Sequence, residues 1–310
     1  MTAPCYLGVD GGGTKTRFVL LDGDQHVLAQ AQLGSAYHPE IGLDGVRSLL
    51  AQGVQSVLAD AALQAADITY AFFGLPAHGE DSAASTRLDA IPAGILGHDR
   101  YACDNDMVCG WAGSMACADG INIVAGTGSI GYGQYQGRSA RAGGWGEMFS
   151  DEGSAYWIAM QGLNAWSRMS DGRLPRTAMY AVFHHKLQLD RDLDICAQIY
   201  GEHAQTRAEL AQFSRLVSES ARLGDPMALR IYRQAGEELA QIADAIRRDL
   251  GFGAGEVVPL SCSGGAFSAG ELLLAPFRDA LHAACNDFQL REPLHEPHIG
   301  AALYAMHLAG

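Results

Sequence analysis

The sequence predicts an α/β protein made of two similar halves, and the main sign is a pair of glycine-hydroxyl turns that each interrupt β-prone sequence. The first is Gly8-Val9-Asp10-Gly11-Gly12-Gly13-Thr14-Lys15-Thr16, at the end of a short apolar run. Arg17-Phe18-Val19-Leu20-Leu21 leaves it as a strand and stops at Asp22-Gly23-Asp24, a hairpin signal before His26-Val27-Leu28-Ala29. The second turn, Gly126-Thr127-Gly128-Ser129, lies between the strand-like Gly120–Ala125 and Ile130–Tyr135, and Gln136-Gly137 makes the next hairpin before Ala140-Arg141-Ala142. Each half therefore opens with a strand, a glycine turn and two returning strands.

Helical and buried-strand patterns fill the rest. Gly34-Ser35-Ala36-Tyr37-His38-Pro39-Glu40 reads as a loop, and Val46, Leu49, Leu50, Val54 and Leu58 give helical spacing over 43–58. Ile68–Gly74 reads as a buried strand, Asp81, Ser82 and Ser85 precede a helix, and Tyr101-Ala102-Cys103 is a strand entering Asp104-Asn105-Asp106. Met107 to Met115 is helical. Residues 155–250 are mostly helical, punctuated at Leu223-Gly224-Asp225-Pro226, where Gly224 suits a C-terminal cap, Asp225 an N-cap and Pro226 a first turn. Met227 to Leu250 is one long amphipathic helix. Val257–Cys262 forms a late strand, Ser263-Gly264-Gly265 opens the next helix, and Pro297–Ala305 is a terminal helix of small residues. The domain boundaries expected are 1–117 with 297–310, and 118–296.

Glycines let backbone N–H groups approach an anion, and Thr14 and Thr16 add hydroxyl donors, so the first turn reads as a phosphate grip. It is not a P-loop, because Thr14 rather than glycine precedes Lys15, and not a dinucleotide fingerprint, because a strand rather than a helix follows. Lys15 is either an anion contact or a solvated turn residue. With 35 acidic against 21 basic residues and a net charge of −14, nucleic acid and anionic membranes are excluded as expected partners. An anionic substrate then needs local N–H donors and a metal ion.

No apolar run reaches the roughly 18 residues of a membrane span, and Met1-Thr2-Ala3-Pro4-Cys5 carries no basic leader segment. The seven cysteines are odd in number and include no CxxC pair, so reduced thiols and a cytoplasmic location are expected. Cys103, Cys109 and Cys117 have spacings that fit no common zinc pattern.

A phosphate-binding β-hairpin of this kind resembles the first phosphate loop of the actin, Hsp70 and sugar kinase superfamily. Gly143-Gly144-Trp145-Gly146-Glu147-Met148-Phe149-Ser150-Asp151-Glu152-Gly153-Ser154-Ala155-Tyr156-Trp157-Ile158 narrows the likeness. It closely resembles the eukaryotic-type N-acetylglucosamine kinases, within the BadF/BadG/BcrA/BcrD ATPase family. The resemblance implies duplicated ribonuclease H-like, actin-like ATPase domains, each a mixed five-stranded sheet with helices, and a ligand cleft between them. It also implies ATP with Mg²⁺ as cofactor, a small sugar as substrate, transfer to the 6-hydroxyl, and a homodimer.

Residue roles follow from the same likeness. Asp10 would hold Mg²⁺ through water while Gly11, Gly12, Gly13 and Thr14 grip the β- and γ-phosphates, and Gly126, Thr127, Gly128 and Ser129 grip from the other half. Gly264 and Gly265 would lie against adenosine. Asp106 takes the place of the catalytic aspartate and would accept the sugar proton, a service worth ~10²–10⁴ in rate. Asp104 is its competitor, because two residues apart on an extended segment share a face. Gly144, Trp145, Gly146 and Asp151 would line the sugar pocket. Tyr37 stands where the family has a sugar-binding asparagine, with His38 one step on, and a phenol cannot copy an amide's paired donor and acceptor. Glucosamine kinases share Gly-Ser-Ala at this loop but differ in the acidic motif, which favours N-acetylglucosamine. A dehydratase or reductase activator of the same family would need cluster-ligating cysteines after the second turn, and none is suitably placed.

Overall fold

Residues 3–201 and 205–310 are described by the computed structural model. Met1-Thr2, part of the start read for a leader segment, and positions 202–204, inside the stretch expected to be helical, lie outside the described residues. Two units are distinguished, Met1–Gly120 with Glu292–Gly310, and Ile121–Arg291.

In the first unit, β1 (Cys5–Gly11) runs antiparallel to β2 (Thr16–Asp22), and β2 antiparallel to β3 (Val27–Leu33). Beside β1, β4 (Tyr70–Leu75) and then β5 (Tyr101–Asn105) pair in parallel, so the order is β3-β2-β1-β4-β5. The β1/β2 register pairs Asp10 with Arg17 and Gly11 with Thr16, which leaves Gly12–Lys15 as the connecting turn. Leu7, Val9, Phe18 and Leu20 point into one core together with Val46, Leu50, Val54 and Val57 of α1 (His38–Asp60). The helix begins five residues before the expected position 43, in the sequence read as loop, and is kinked at Gly42 (φ 69°, ψ 165°). Two short helices, α2 (Ser82–Asp89) and α3 (Ile91–Leu96), connect β4 to β5, and α4 (Met107–Met115) follows β5.

The second unit repeats the order. β6 (Gly120–Ala125), β7 (Ser129–Tyr135) and β8 (Arg138–Gly143) lie beside β9 (Val258–Ser263) and β10 (Phe288–Arg291), in the order β10-β9-β6-β7-β8. β7 and β8 are antiparallel, whereas β6, β9 and β10 are parallel. The two mixed five-stranded sheets expected from the sequence are thus present.

Between β8 and β9 the described residues form α5 (Ala155–Ser170), α6 (Ala178–Leu187), α7 (Ile195–Tyr200), α8 (Arg207–Ala211), α9 (Ser214–Arg222) and α10 (Pro226–Leu250). Asp225 caps α10 as expected, accepting from the N–H groups of Met227 and Ala228, and Gly251 closes it in the left-handed conformation. The apolar stripe of α10, with Ile231, Ala235, Leu239, Ile242 and Ile246, enters the core formed with Ile121, Ile123, Leu260 and Phe277. Gly264 and Gly265 do not open an α-helix directly. Gly264 (φ 103°) and Gly270 (φ 66°) bracket a 3₁₀ turn at Gly265–Ala269, and only then does α11 (Glu271–Ala284) begin.

The terminal helix α12 (Pro297–Ala309) belongs to the first unit and lies against its backbone. A Cβ on Gly8 would fall 2.2 Å from the Ala302 nitrogen, and one on Gly300 would fall 2.1 Å from the Gly113 nitrogen. Small residues at these contacts are therefore a steric requirement of β1, α4 and α12. Among the described residues no helix is long and apolar enough to cross a membrane.

Candidate functional site

At the end of β1 three segments meet around Gly11. A Cβ there would lie 2.9 Å from the Gly74 carbonyl, 3.0 Å from Pro76 Cδ and 3.3 Å from Ala36 Cβ. The Ala36 N–H also donates to the Gly12 carbonyl at 3.2 Å, tying the Gly34–Tyr37 loop to the glycine turn. Gly13, Thr14 and Lys15 form the exposed apex, and a Cβ on Gly13 would meet nothing within 4 Å. The apex glycine is thus not demanded by the protein's own packing, which leaves close approach by a ligand as a use for it.

Asp106 acts on Asp10 in this region. β4 passes so close to α4 that a Cβ on Gly74 would stand 2.2 Å from Cys109 Sγ and 3.3 Å from Asp106 Cα. Burial, followed by the negative charge of Asp106, pushes the Asp10 carboxyl up to about 7, although Arg17, Lys15 and a hydrogen bond from Cys109 oppose the shift. Burial and then Glu80 push Asp106 up to about 7 as well. Two carboxyls held against their charge in one place make a site that favours a cation, and the protons they carry belong to the pair.

Asp104 and Asp106 do not share the face expected of neighbours on a strand. β5 ends at Asn105, and Asp106 is already in the helical region (φ −62°, ψ −20°) as the residue before α4. Asp104 accepts from the Asn105 N–H at 2.7 Å and lies 4.0 Å from His78, whose other ring nitrogen is 2.8 Å from Asp89. Asn105 is buried, donating to the His78 carbonyl at 3.0 Å and accepting from the Met107 N–H at 3.2 Å. Its two bonds hold the bend that turns Asp106 inward. Tyr37 caps the start of α1, its carbonyl accepting from Glu40 and Ile41 at 3.0 and 3.2 Å. His38 Nδ1 is buried without a hydrogen-bond partner among the described residues.

In the second unit the turn after β6 is fastened to the start of α5. The Gly126 carbonyl accepts from Ala155 at 2.9 Å and the Thr127 carbonyl from Tyr156 at 3.3 Å. Because a trans peptide sets its C=O and N–H in opposite directions, the N–H groups of Thr127 and Gly128 point away from that helix. Ser129 donates its backbone N–H to Asp151 Oδ1 at 3.2 Å and its hydroxyl to the Glu152 carbonyl at 2.7 Å. A Cβ on Gly126 would meet nothing within 4 Å.

Asp151 is 3% exposed and sits at φ 62°, a conformation that a non-glycine residue adopts only when its surroundings impose it. One carboxylate oxygen holds Ser129, and the other is paired with Arg207 of α8, which also lies 3.4 Å from Glu147. The residue expected to line a sugar pocket is thus bound on both oxygens within its own unit. Trp145, expected beside it, is 70% exposed and borders a groove of about 1580 Å³ with Phe149, Leu229, Ile242 and Leu272. Gly144 and Gly146 adopt positive φ (69° and 95°) on either side of it.

The glycine pair after β9 divides in its duties. A Cβ on Gly264 would come 2.5 Å from the Ala125 carbonyl and 2.9 Å from the Gly126 nitrogen, so Gly264 is required by the entry to the second turn. A Cβ on Gly265 would meet nothing within 4 Å. Sequence reasoning missed Arg207. It stands far along the chain from Asp151, in a helical stretch with many arginines, and no local spacing marks it.

The sequence profile of the BadF/BadG/BcrA/BcrD ATPase family matches residues 7–305. An N-acetyl-D-glucosamine kinase from Dictyostelium discoideum is 27% identical over 315 residues, covering 99% of each chain. An N-acetylmuramic acid/N-acetylglucosamine kinase from Clostridium acetobutylicum is 28% identical over 301 residues, covering 96% of this chain and 97% of the relative. Among solved structures, a Chromobacterium violaceum protein provisionally named an N-acetylglucosamine kinase superposes with a TM-score of 0.76 at 27% identity, over 98% of this chain and 99% of that one.

Proposed function

The chain belongs to the BadF/BadG/BcrA/BcrD ATPase family, and from that premise we propose that it is an ATP-dependent kinase of N-acetylglucosamine, with Asp106 as the general base. The observation that carries the mechanism is the Asp10–Asp106 pair beside an open glycine apex, each carboxyl pushed up to about 7. A carboxyl poised near neutral pH is suited to take a hydroxyl proton and release it again.

Phosphoryl transfer demands little covalent work from a protein and much positioning and charge neutralisation. The Gly11–Thr14 turn, and at the second turn the N–H groups of Thr127 and Gly128 with the Thr127 hydroxyl, would supply donors for the phosphates. Ser129, expected among them, spends its N–H on Asp151 and its hydroxyl on the Glu152 carbonyl, and Gly126 spends its N–H on the Gly128 carbonyl. Asp106 accepts the proton of the sugar 6-hydroxyl as that oxygen bonds to the γ-phosphorus and the bond to ADP breaks. Gly265, open on its Cα face, is available to the nucleoside, while Tyr37 and His38 at the start of α1 replace the family's amide and face the sugar. The carboxylate of Asp10 is a hard oxygen donor beside a second acid, which fits Mg²⁺. When bound, that ion would neutralise phosphate charge; Asp10 is the residue that would hold it, through water, and Arg17, paired with Glu296, compensates its charge only in part.

A coupled ADP-release assay with ATP-Mg²⁺ and N-acetylglucosamine, glucosamine, glucose or no sugar tests the proposal in wild type and Asp106→Asn. Stimulation by N-acetylglucosamine, lost by ~10²–10⁴ in Asp106→Asn, is the expected result. Stimulation by glucosamine alone changes the substrate and keeps the mechanism. Release that no sugar affects refutes the kinase assignment.

A further inference from the structure

We propose that Arg207 is a positioning residue for the second glycine-hydroxyl turn: it holds Asp151 in place and cancels its charge, so that the turn can receive phosphate. The inference rests on the ATP-dependent reading above.

Asp151 fixes the turn by accepting the Ser129 N–H at 3.2 Å. Used alone, that anchor works against the turn's purpose, because it puts a buried negative charge beside a site meant for an anion. Glu147 and Glu152 add to the negative field at Asp151. Arg207 is the cation that counters it, pairing with Asp151 directly and lying 3.4 Å from Glu147.

The pair is also packed onto the turn itself. A Cβ on Gly128 would fall 2.5 Å from the Arg207 Nη2 and 3.0 Å from each Asp151 carboxylate oxygen. The guanidinium and carboxylate thus form the surface on which Gly128 rests. The fork of Arg207 suits this task better than an ammonium, since it can bond one acid and face a second from fixed directions. α8, which carries it, is held at its start by Thr206, whose hydroxyl accepts the Glu209 N–H at 3.3 Å while Glu209 accepts the Thr206 N–H at 2.7 Å.

Burial pushes the Asp151 carboxyl up, and Arg207 and the Ser129 N–H pull it down against Glu147 and Glu152. Without Arg207 the carboxyl rises further. Where that carboxyl is charged its repulsion of phosphate is unopposed, so ATP binding should weaken as pH rises through its titration.

The test measures ATP-Mg²⁺ binding calorimetrically without sugar, and KM for ATP and sugar from pH 6 to 9, in wild type, R207Q, R207K and R207Q/D151N. In R207Q, the dissociation constant and KM for ATP rise about tenfold and grow with pH, while KM for the sugar stays unchanged. R207K recovers part of the loss and carries the test if R207Q does not fold. R207Q/D151N, with no buried charge left, regains most of the affinity and loses the added pH dependence. R207Q binding ATP like wild type at every pH overturns the inference, as does a rise confined to the sugar KM. Wild type that binds no ATP refutes the kinase proposal itself, a distinct result.

Discussion

Asp106→Asn should stabilise the first unit while abolishing turnover. Holding the Asp106 carboxyl at about 7 rather than its ordinary 3.8 corresponds to about 4 kcal/mol between its charged and neutral forms. The sign follows from proton binding. A raised carboxyl keeps its proton in the folded protein after the unfolded chain has lost it, so stability falls as pH climbs from 3.8 to about 7 and is level above. An asparagine carries no such cost. The variant should therefore gain about 2 kcal/mol over wild type near pH 5 and about 4 kcal/mol at pH 8. The gain includes relief at Asp10, whose own carboxyl is raised partly by Asp106, so the two acids do not add. Hydrogen exchange of amides in β1 and β5, followed at both pH values without nucleotide or metal, reads the local stability of this unit. A variant that is less stable than wild type, or a difference that does not change with pH, refutes the account of Asp106 as a carboxyl held against its charge.

Two further outcomes follow from the same geometry. Mg²⁺ without nucleotide should slow exchange in β1 markedly at pH 8 and little at pH 5, where Asp10 and Asp106 are protonated; equal protection at both would show that the ion binds elsewhere. Gly264→Ala, placing a Cβ 2.5 Å from the Ala125 carbonyl at φ 103°, should cost about 3 kcal/mol in urea unfolding of the second unit. Gly265→Ala meets nothing within 4 Å and should leave unfolding unchanged while raising KM for ATP.

The parts legible in the sequence are those with local causes. Glycine turns between β-prone runs, the Asp225-Pro226 start of α10 and its apolar stripe all announce themselves within a few residues. Asp104 and Asp106 could not be separated that way, because the distinction depends on where β5 stops. Asn105 sets that point through bonds to His78 and Met107, and Asp106 then turns helical instead of continuing the alternation. The onset of α1 at His38 was hidden by the turn-prone run Gly34–Glu40, whose last three residues are already helical, and the helix is kinked at Gly42. Gly264 looked like a concession to a nucleoside, yet its first obligation is to the backbone at Ala125 and Gly126. Arg207 left no local trace at all, since an ion pair between residues distant in sequence creates no periodicity.

The two halves share a strand order but treat their acids differently, and this difference tells more about function than the repeat does. Asp10 has a basic residue directly across the ladder, Arg17, but that guanidinium is paired with Glu296 and lies 3.3 Å from His298. The carboxyl remains raised to about 7 despite it. Asp151, in contrast, has a dedicated arginine in contact and a backbone N–H on its other oxygen. An acid left undercompensated beside a second acid suits a cation, whereas an acid held by an arginine and a backbone N–H is suited to fixing a turn. Both arrangements suit the proposed binding of phosphate by a protein of net charge −14. Under that proposal positive charge would come to the anion from outside at one turn, and the negative charge of the protein's own anchor would be offset at the other.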